Sequence, residues 1–172
     1  NFTHDLSVGL RTPFATAEAL KIGYGHCLPE AVDPEEVVPV SAFGESDPQT
    51  VSRLEMARIL EARAEEMYAM VLNEIKRSGY DGLLPAGIVL TGGTADLRGF
   101  KELGREVLQL PVRVGSLRGV GGLADAVSGP AYATAVGLLL WGAKHGPSER
   151  AAGSAAGGEN DFLKRFRDIL QV

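Results

Sequence analysis

Apolar positions along the chain alternate between helical spacing and short continuous runs, and the alternation predicts its elements. Thr3 to Leu10 reads as a short helix ending near Gly9. Thr12-Pro13 gives a helix start, with Thr12 as cap and Pro13 in the first turn. That helix runs to about Ile22 and stops at Gly23-Tyr24-Gly25. From His26 to Ser46 the pattern turns strand-like. Leu28–Val32 and Val37–Val40 are expected as short strands, punctuated by Pro29, Pro34, Gly44 and Pro48. Ser52 and Glu55 then stand at capping-box spacing ahead of an apolar stripe at Met56, Leu60, Ala64, Met67, Val71 and Ile75. This helix ends at Gly79, after Lys76 and Arg77. Its other face carries Arg58, Glu61, Arg63, Glu65 and Glu66, by default a solvated face.

Gly87 to Leu90 predicts a short buried strand, followed by Thr91-Gly92-Gly93-Thr94 and a helix over Leu97–Leu108. Pro111 to Gly115 predicts a second strand, and a glycine-rich loop (Gly119, Gly121, Gly122) comes next. Pro130 opens an apolar helix over Ala131–Ala143, read as a core helix because it is too short to span a bilayer. Its small residues Ala133, Ala135 and Gly137 would permit close packing. Strand–helix–strand–helix order predicts an α/β class with a parallel sheet.

The polar/apolar balance shifts at Gly146. Residues 146–160 are mostly Gly, Ala, Ser and Glu, a linker composition that cannot bury a core. In the last residues, Phe162, Leu163, Phe166, Ile169 and Leu170 fall on one helical face, with Lys164, Arg165 and Arg167 around it. A tethered basic amphipathic helix suits an anionic membrane surface. Docking back on its own domain, or into a partner groove, is the alternative. One helix of this length binds weakly, so stable attachment calls for several copies.

The 172 residues suffice for one domain with a real core, or one plus a small satellite. A net charge of −5 argues against nucleic acid as a partner. Cys27 is the single cysteine, which excludes an internal disulfide and fits a reducing compartment, with a buried thiol as its role. His4, His26 and His145 have no metal-ligand spacing. The chain opens in mid-pattern without a Met, so a fragment is expected.

Candidate chemistry gathers at Gly92-Gly93. Two glycines at the carboxyl end of a buried strand allow positive φ and a close approach of ligand to bare backbone. A helix opening near Leu97 would add unpaired N–H groups, which favours phosphate. A tight turn is the plain alternative. Glu18 and Lys21, three apart, share a helix face and read as a surface ion pair.

Several segments, in order, resemble the FtsA family of actin-like bacterial cell-division proteins. They are Thr3–Pro13 (THDLSVGLRTP), Ala17–Lys21 with Tyr24-Gly25, Gly87–Gly93 (GIVLTGG), Pro111–Gly115 (PVRVG) and Tyr132–Leu139 (YATAVGLL). The linker and basic tail match the family's membrane-targeting end. Each motif alone is weak, and the set in order is specific.

The resemblance implies the second lobe of an actin-like (ribonuclease-H-like, Hsp70–actin) ATPase fold with a small α+β subdomain inserted. Residues 1–23 and 81–145 would form the larger subdomain with its connecting helix, 24–80 the insert, 146–160 a linker and 161–172 the targeting helix. It implies ATP, with Gly92, Gly93 and Thr94 near the α-phosphate and Glu18 and Lys21 beside adenine and ribose. Mg2+ and the β/γ-phosphate loops would belong to segments upstream of Asn1, so any hydrolysis would belong to the intact protein, a weak ATPase at most, and the chain alone would bind nucleotide poorly. The helix 131–142 would connect the lobes, with Gly137 at a close crossing. The implied partners are the C-terminal peptide of the tubulin-like protein FtsZ, further copies in a polymer, other divisome proteins and the anionic inner face of the cytoplasmic membrane. Arg63 sits where the family places a basic residue and would meet the acidic peptide; a solvated helix charge is the alternative. An actin-like pilus-assembly adaptor gives no reason for the basic tail. A DnaK-type ATPase would need a β domain where only a linker and a short helix follow.

Overall fold

The structure, a computed structural model, describes residues 1–40, 49–117 and 129–145. The glycine-rich loop at 119–122, the turn residues Gly44 and Pro48, the linker and the terminal helix lie outside the described residues. The chain divides into two units, Asn1–Leu90 with Thr94–Val114, and Thr91–Gly93 with Gly115–Val172.

The first unit is built around a 25-residue helix. Helices α1 (Phe2–Gly9) and α2 (Phe14–Tyr24) lead through a 3-10 turn to β1 (Val37–Val40) and β2 (Gln49–Ser52), and then to α3 (Arg53–Arg77). After α3 come β3 (Ile88–Leu90), α4 (Phe100–Leu108) and β4 (Val112–Val114). β1 and β2 pair antiparallel, with Val38 opposite Val51. β3 and β4 pair parallel, with Ile88 opposite Val112 and Leu90 opposite Val114, and α4 is the crossover between them. The expected α/β order is therefore present.

The core joins all of these elements. Leu6, Met56 and Leu60 are fully buried among Phe2, Leu20, Val38, Leu103 and Val112. Phe100 stacks on Tyr68 at 4.8 Å and meets Phe2 edge-on at 5.8 Å, so one aromatic cluster ties α1, α3 and α4 together. The Tyr68 hydroxyl donates to the Phe100 carbonyl at 2.7 Å. The expected boundaries at 24 and 80 both fall within this unit.

Several expectations need correction. Leu28–Val32 is not a strand: Pro29–Ala31 forms a 3-10 turn, with Ala31 and Val32 N–H donating to the Leu28 and Pro29 carbonyls. Proline's fixed φ suits that turn and removes a ladder donor. Pro13, rather than Thr12, occupies the cap of α2, and Thr12 is buried. α3 begins as predicted, Ser52 accepting the Glu55 N–H at 3.4 Å. Its stripe then swings, so that Tyr68 is buried while Val71 is 41% exposed. An α-helix gains slightly on a strict heptad, so a core stripe drifts around it with length. α4 opens at Phe100, three residues after the expected start, because a 3-10 turn over Gly93–Asp96 comes first. β3 is half-exposed rather than buried, since among the described residues its sheet has two strands and Val89 is 43% exposed.

In the second unit, Pro130–Tyr132 forms a 3-10 turn that runs into α5 (Ala133–His145). The expected core helix is mostly on the surface. Val136 is buried, whereas Leu138, Leu139 and Trp141 are exposed, and nothing lies within 4 Å of where a Cβ on Gly137 would sit. Apolar composition states a preference for burial; it does not supply the partner.

Candidate functional site

The loop after β3 is open. Gly92 adopts φ +86°, and nothing lies within 4 Å of where its Cβ would be. Positive φ is what the double glycine predicts. The Gly92 N–H, however, donates to the Pro130 carbonyl at 2.8 Å, so this amide is already engaged. Gly93 is exposed and begins the 3-10 turn. Thr94 is half-buried, and its carbonyl accepts the Leu97 N–H at 3.0 Å. The start of α4 at Phe100, capped by Gly99, separates the helix N-terminus from the glycines by a turn that the sequence did not reveal.

Glu18 and Lys21 do pair, with 2.7 Å between Oε2 and Nζ. They do so through a third residue. The Thr3 hydroxyl donates to Glu18 and accepts from Lys21 Nζ at 3.0 Å, which links α2 to α1. The hydrogen bonds from Lys21 and Thr3 hold the Glu18 carboxyl below the usual range.

Arg63 is also engaged. Its Nε and Nη2 form a fork onto Asp5, at 2.5 and 2.9 Å, and Nη1 lies 2.8 Å from Glu66. A bidentate pair fixes geometry as well as charge, and here it ties α3 to α1. The hydrogen bonds from Arg63 hold the Asp5 carboxyl below its usual value. α1 thus carries two clasps, Thr3 toward α2 and Asp5 toward α3. Sequence reasoning missed both partners. Thr3 lies 15 residues from Glu18 and Asp5 lies 58 from Arg63, beyond any helical spacing rule.

Cys27 is fully buried, and burial, with Glu61 nearby, pushes its thiol up to about 12. His26 accepts the Leu28 N–H on Nδ1 at 3.0 Å, and burial lowers its pKa. It bridges to Arg98 ahead of α4 and has a positional role. Among the described residues no group of His, Cys, Asp and Glu could hold a metal, and no helix is long and apolar enough to cross a membrane. Phe162, Leu163, Lys164, Arg165, Phe166, Arg167, Ile169 and Leu170 lie outside the described residues.

Comparison with known proteins gives a fold and a family. The chain aligns with the crystal structure of MreB5 of Spiroplasma citri bound to ADP at a TM-score of 0.59 and 17% identity, covering 81% of this chain and 42% of that one. A second structure, MreB 5 of the same organism bound to AMPPNP, aligns at a TM-score of 0.57 and 16% identity, with the same coverage. The fold is the actin-like α/β fold. The cell division protein FtsA of Pseudomonas aeruginosa is 43% identical over 140 residues, which is 81% of this chain and 34% of that protein. FtsA of Rhizobium meliloti is 38% identical over 169 residues, 94% of this chain and 38% of that protein. The Bacillus subtilis protein is 38% identical over 145 residues. The chain thus spans about a third of the length of these curated relatives. The family model "Cell division protein FtsA" matches residues 1–137. This chain belongs to the FtsA family of bacterial cell-division proteins.

Proposed function

We propose that this chain is part of a cell-division adaptor that binds ATP, polymerises on the inner face of the cytoplasmic membrane and tethers FtsZ filaments there. What carries the reading is the family match over residues 1–137 followed, after the linker, by a basic amphipathic segment at 161–172. The apolar face Phe162, Leu163, Phe166, Ile169 and Leu170 would enter the lipid interface, while Lys164, Arg165 and Arg167 would meet anionic headgroups.

The nucleotide side rests on Gly92, beside which a ligand could lie without meeting a Cβ, and on exposed Gly93. Thr94 would complete this loop, and Glu18 and Lys21 would supply polar contacts to adenine and ribose. For Lys21 to reach a ligand it would give up Thr3 or Glu18. Mg2+ and the β/γ-phosphates would be held by residues that are not in this chain. Nucleotide would then tune assembly rather than drive turnover. The FtsZ C-terminal peptide would dock on α3, and Arg63 would be available to it only by sharing or releasing Asp5 and Glu66.

Co-sedimentation with liposomes tests the tether. The chain should sediment with anionic vesicles and not with neutral ones, and Phe166→Glu should remove that binding, because a charge in the apolar face is costly to bury in lipid. Failure of the unsubstituted chain to sediment at high lipid would overturn the membrane reading.

A further inference from the structure

The C-terminal end of α2 is held by two arginines from distant segments. The Gly23 carbonyl accepts from Arg98 Nη1 at 3.2 Å, and the Tyr24 carbonyl accepts from Arg53 Nε at 3.0 Å. Arg53 also donates from Nη1 to Glu36 at 2.5 Å. Cations suit the negative end of a helix, and these bonds fix both guanidinium groups beside the turn that follows. In that turn the Cys27 N–H donates to the Arg98 carbonyl at 2.8 Å, which ties it to the segment ahead of α4.

His26 lies in this joint. Its Nδ1 accepts the Leu28 N–H at 3.0 Å, so the neutral ring carries its proton on Nε2. A second proton must then go to Nδ1, where it turns the acceptor into a donor facing another N–H. The ring lies against bare backbone at Gly99 (φ +77°), where a Cβ would come within 2.8 Å of Cε1 and 2.9 Å of Nδ1. The charges that face it oppose an imidazolium: Arg53 from α3 and Arg98 from ahead of α4 stand against Glu30 from the 3-10 turn. Burial, then the two arginines, lower its pKa from 6.5.

We propose that His26 is a proton-operated catch: neutral, it fastens the turn after α2 against Gly99, and on taking a proton at Nδ1 it lets that joint open and uncovers Cys27. Histidine is the side chain whose charge changes in mild acid. The folded ring takes up a proton less readily than an unfolded one. The closed joint is therefore fully stable above pH 6.5 and loses stability as pH falls through the folded value. Nothing in this depends on the nucleotide, membrane or FtsZ readings.

Cys27 reports on the joint, since it is fully buried and adjoins the catch. A pyridyl disulfide, which labels thiols in mild acid as well as at neutral pH, is added to the 172-residue chain. Each rate is divided by that of the urea-unfolded chain at the same pH, and circular dichroism establishes that the fold persists. Protection of Cys27 should fall between about pH 7.5 and about pH 5.5, by up to about tenfold per unit, the limit for one proton. His26→Asn keeps an acceptor for the N–H two residues on, as in an Asx turn, but does not titrate, so its protection should stay level. In NMR spectra of the folded parent, the His26 ring should titrate below 6.5. The proposal is overturned if the parent's protection stays level across the range, or if His26→Asn loses protection as the parent does. It also falls if the ring titrates at or above 6.5, a measurement that needs no variant to fold.

Discussion

At the scale of single residues, the buried side-chain polar groups among the described residues are paired, and their cost is visible where a partner would be removed. Tyr68→Phe leaves the stacked ring in place and deletes the donor to the Phe100 carbonyl, so stability should fall by about 1 kcal/mol. Urea unfolding of the two chains checks this, and an unchanged midpoint would show that water replaces the hydroxyl. Gly104 faces the same ring: a Cβ there would come within 2.6 Å of Tyr68 Cζ. Gly104→Ala should therefore cost about 1–3 kcal/mol by overpacking, more than an alanine gains in helix propensity. Cys27 behaves as a small apolar residue. Its folded pKa is raised from 9.0 to about 12, so the stability associated with the neutral thiol is complete below pH 9 and is lost as pH rises toward 12. A thiol reagent at neutral pH should label the native chain far more slowly than the unfolded one; equal rates would mean that Cys27 is exposed.

At the scale of elements, local signals were legible where they act over four residues or fewer. Ser52 and Glu55 announced the start of α3, and Ser52→Ala should cost about 1 kcal/mol, measurable by thermal unfolding. The strands β1, β3 and β4 and the order strand–helix–strand followed from apolar runs between glycines and prolines. The misreadings share a cause. A 3-10 turn at Pro29 and another at Gly93 are set by i to i+3 bonding that apolar periodicity does not encode. The drift of the α3 stripe, and the exposure of α5, depend on which neighbours are present to cover a face. At the candidate site, Gly92's positive φ was legible because only glycine adopts it freely. Its capture by Pro130 and the clasps from Thr3 and Asp5 were not, because they join distant segments.

At the scale of the whole molecule, α1 is the element on which the first unit closes. Phe2 and Leu6 enter the core while Thr3 and Asp5 clasp α2 and α3. The Asp5 pKa is lowered from 3.8, chiefly by the hydrogen bonds from Arg63. A depressed carboxylate contributes stability above its unfolded value and loses it as pH falls through the folded one. Asp5→Asn should therefore be less stable than the parent at neutral pH, and the gap should close as pH drops below 3.8. Urea midpoints across that range measure it; a constant gap would mean the amide loss is steric rather than electrostatic. Family membership extends over residues 1–137, yet the relatives are about three times as long. The exposed faces of β3 and α5 therefore belong to a chain that represents part of its relatives' length.

The edge-on contact of Phe2 with Phe100 also sets a timetable during synthesis. About a hundred residues must leave the ribosome between the first aromatic partner and the last, which at about 5–20 residues per second is a delay of roughly 5–20 s. During that interval Phe2 lacks its Phe100 partner, and Phe2 and Leu6 can meet only the part of the core contributed by α2, β1 and α3. Chaperone demand in the cell should therefore concentrate on nascent chains that have passed Leu6 and not yet released Phe100.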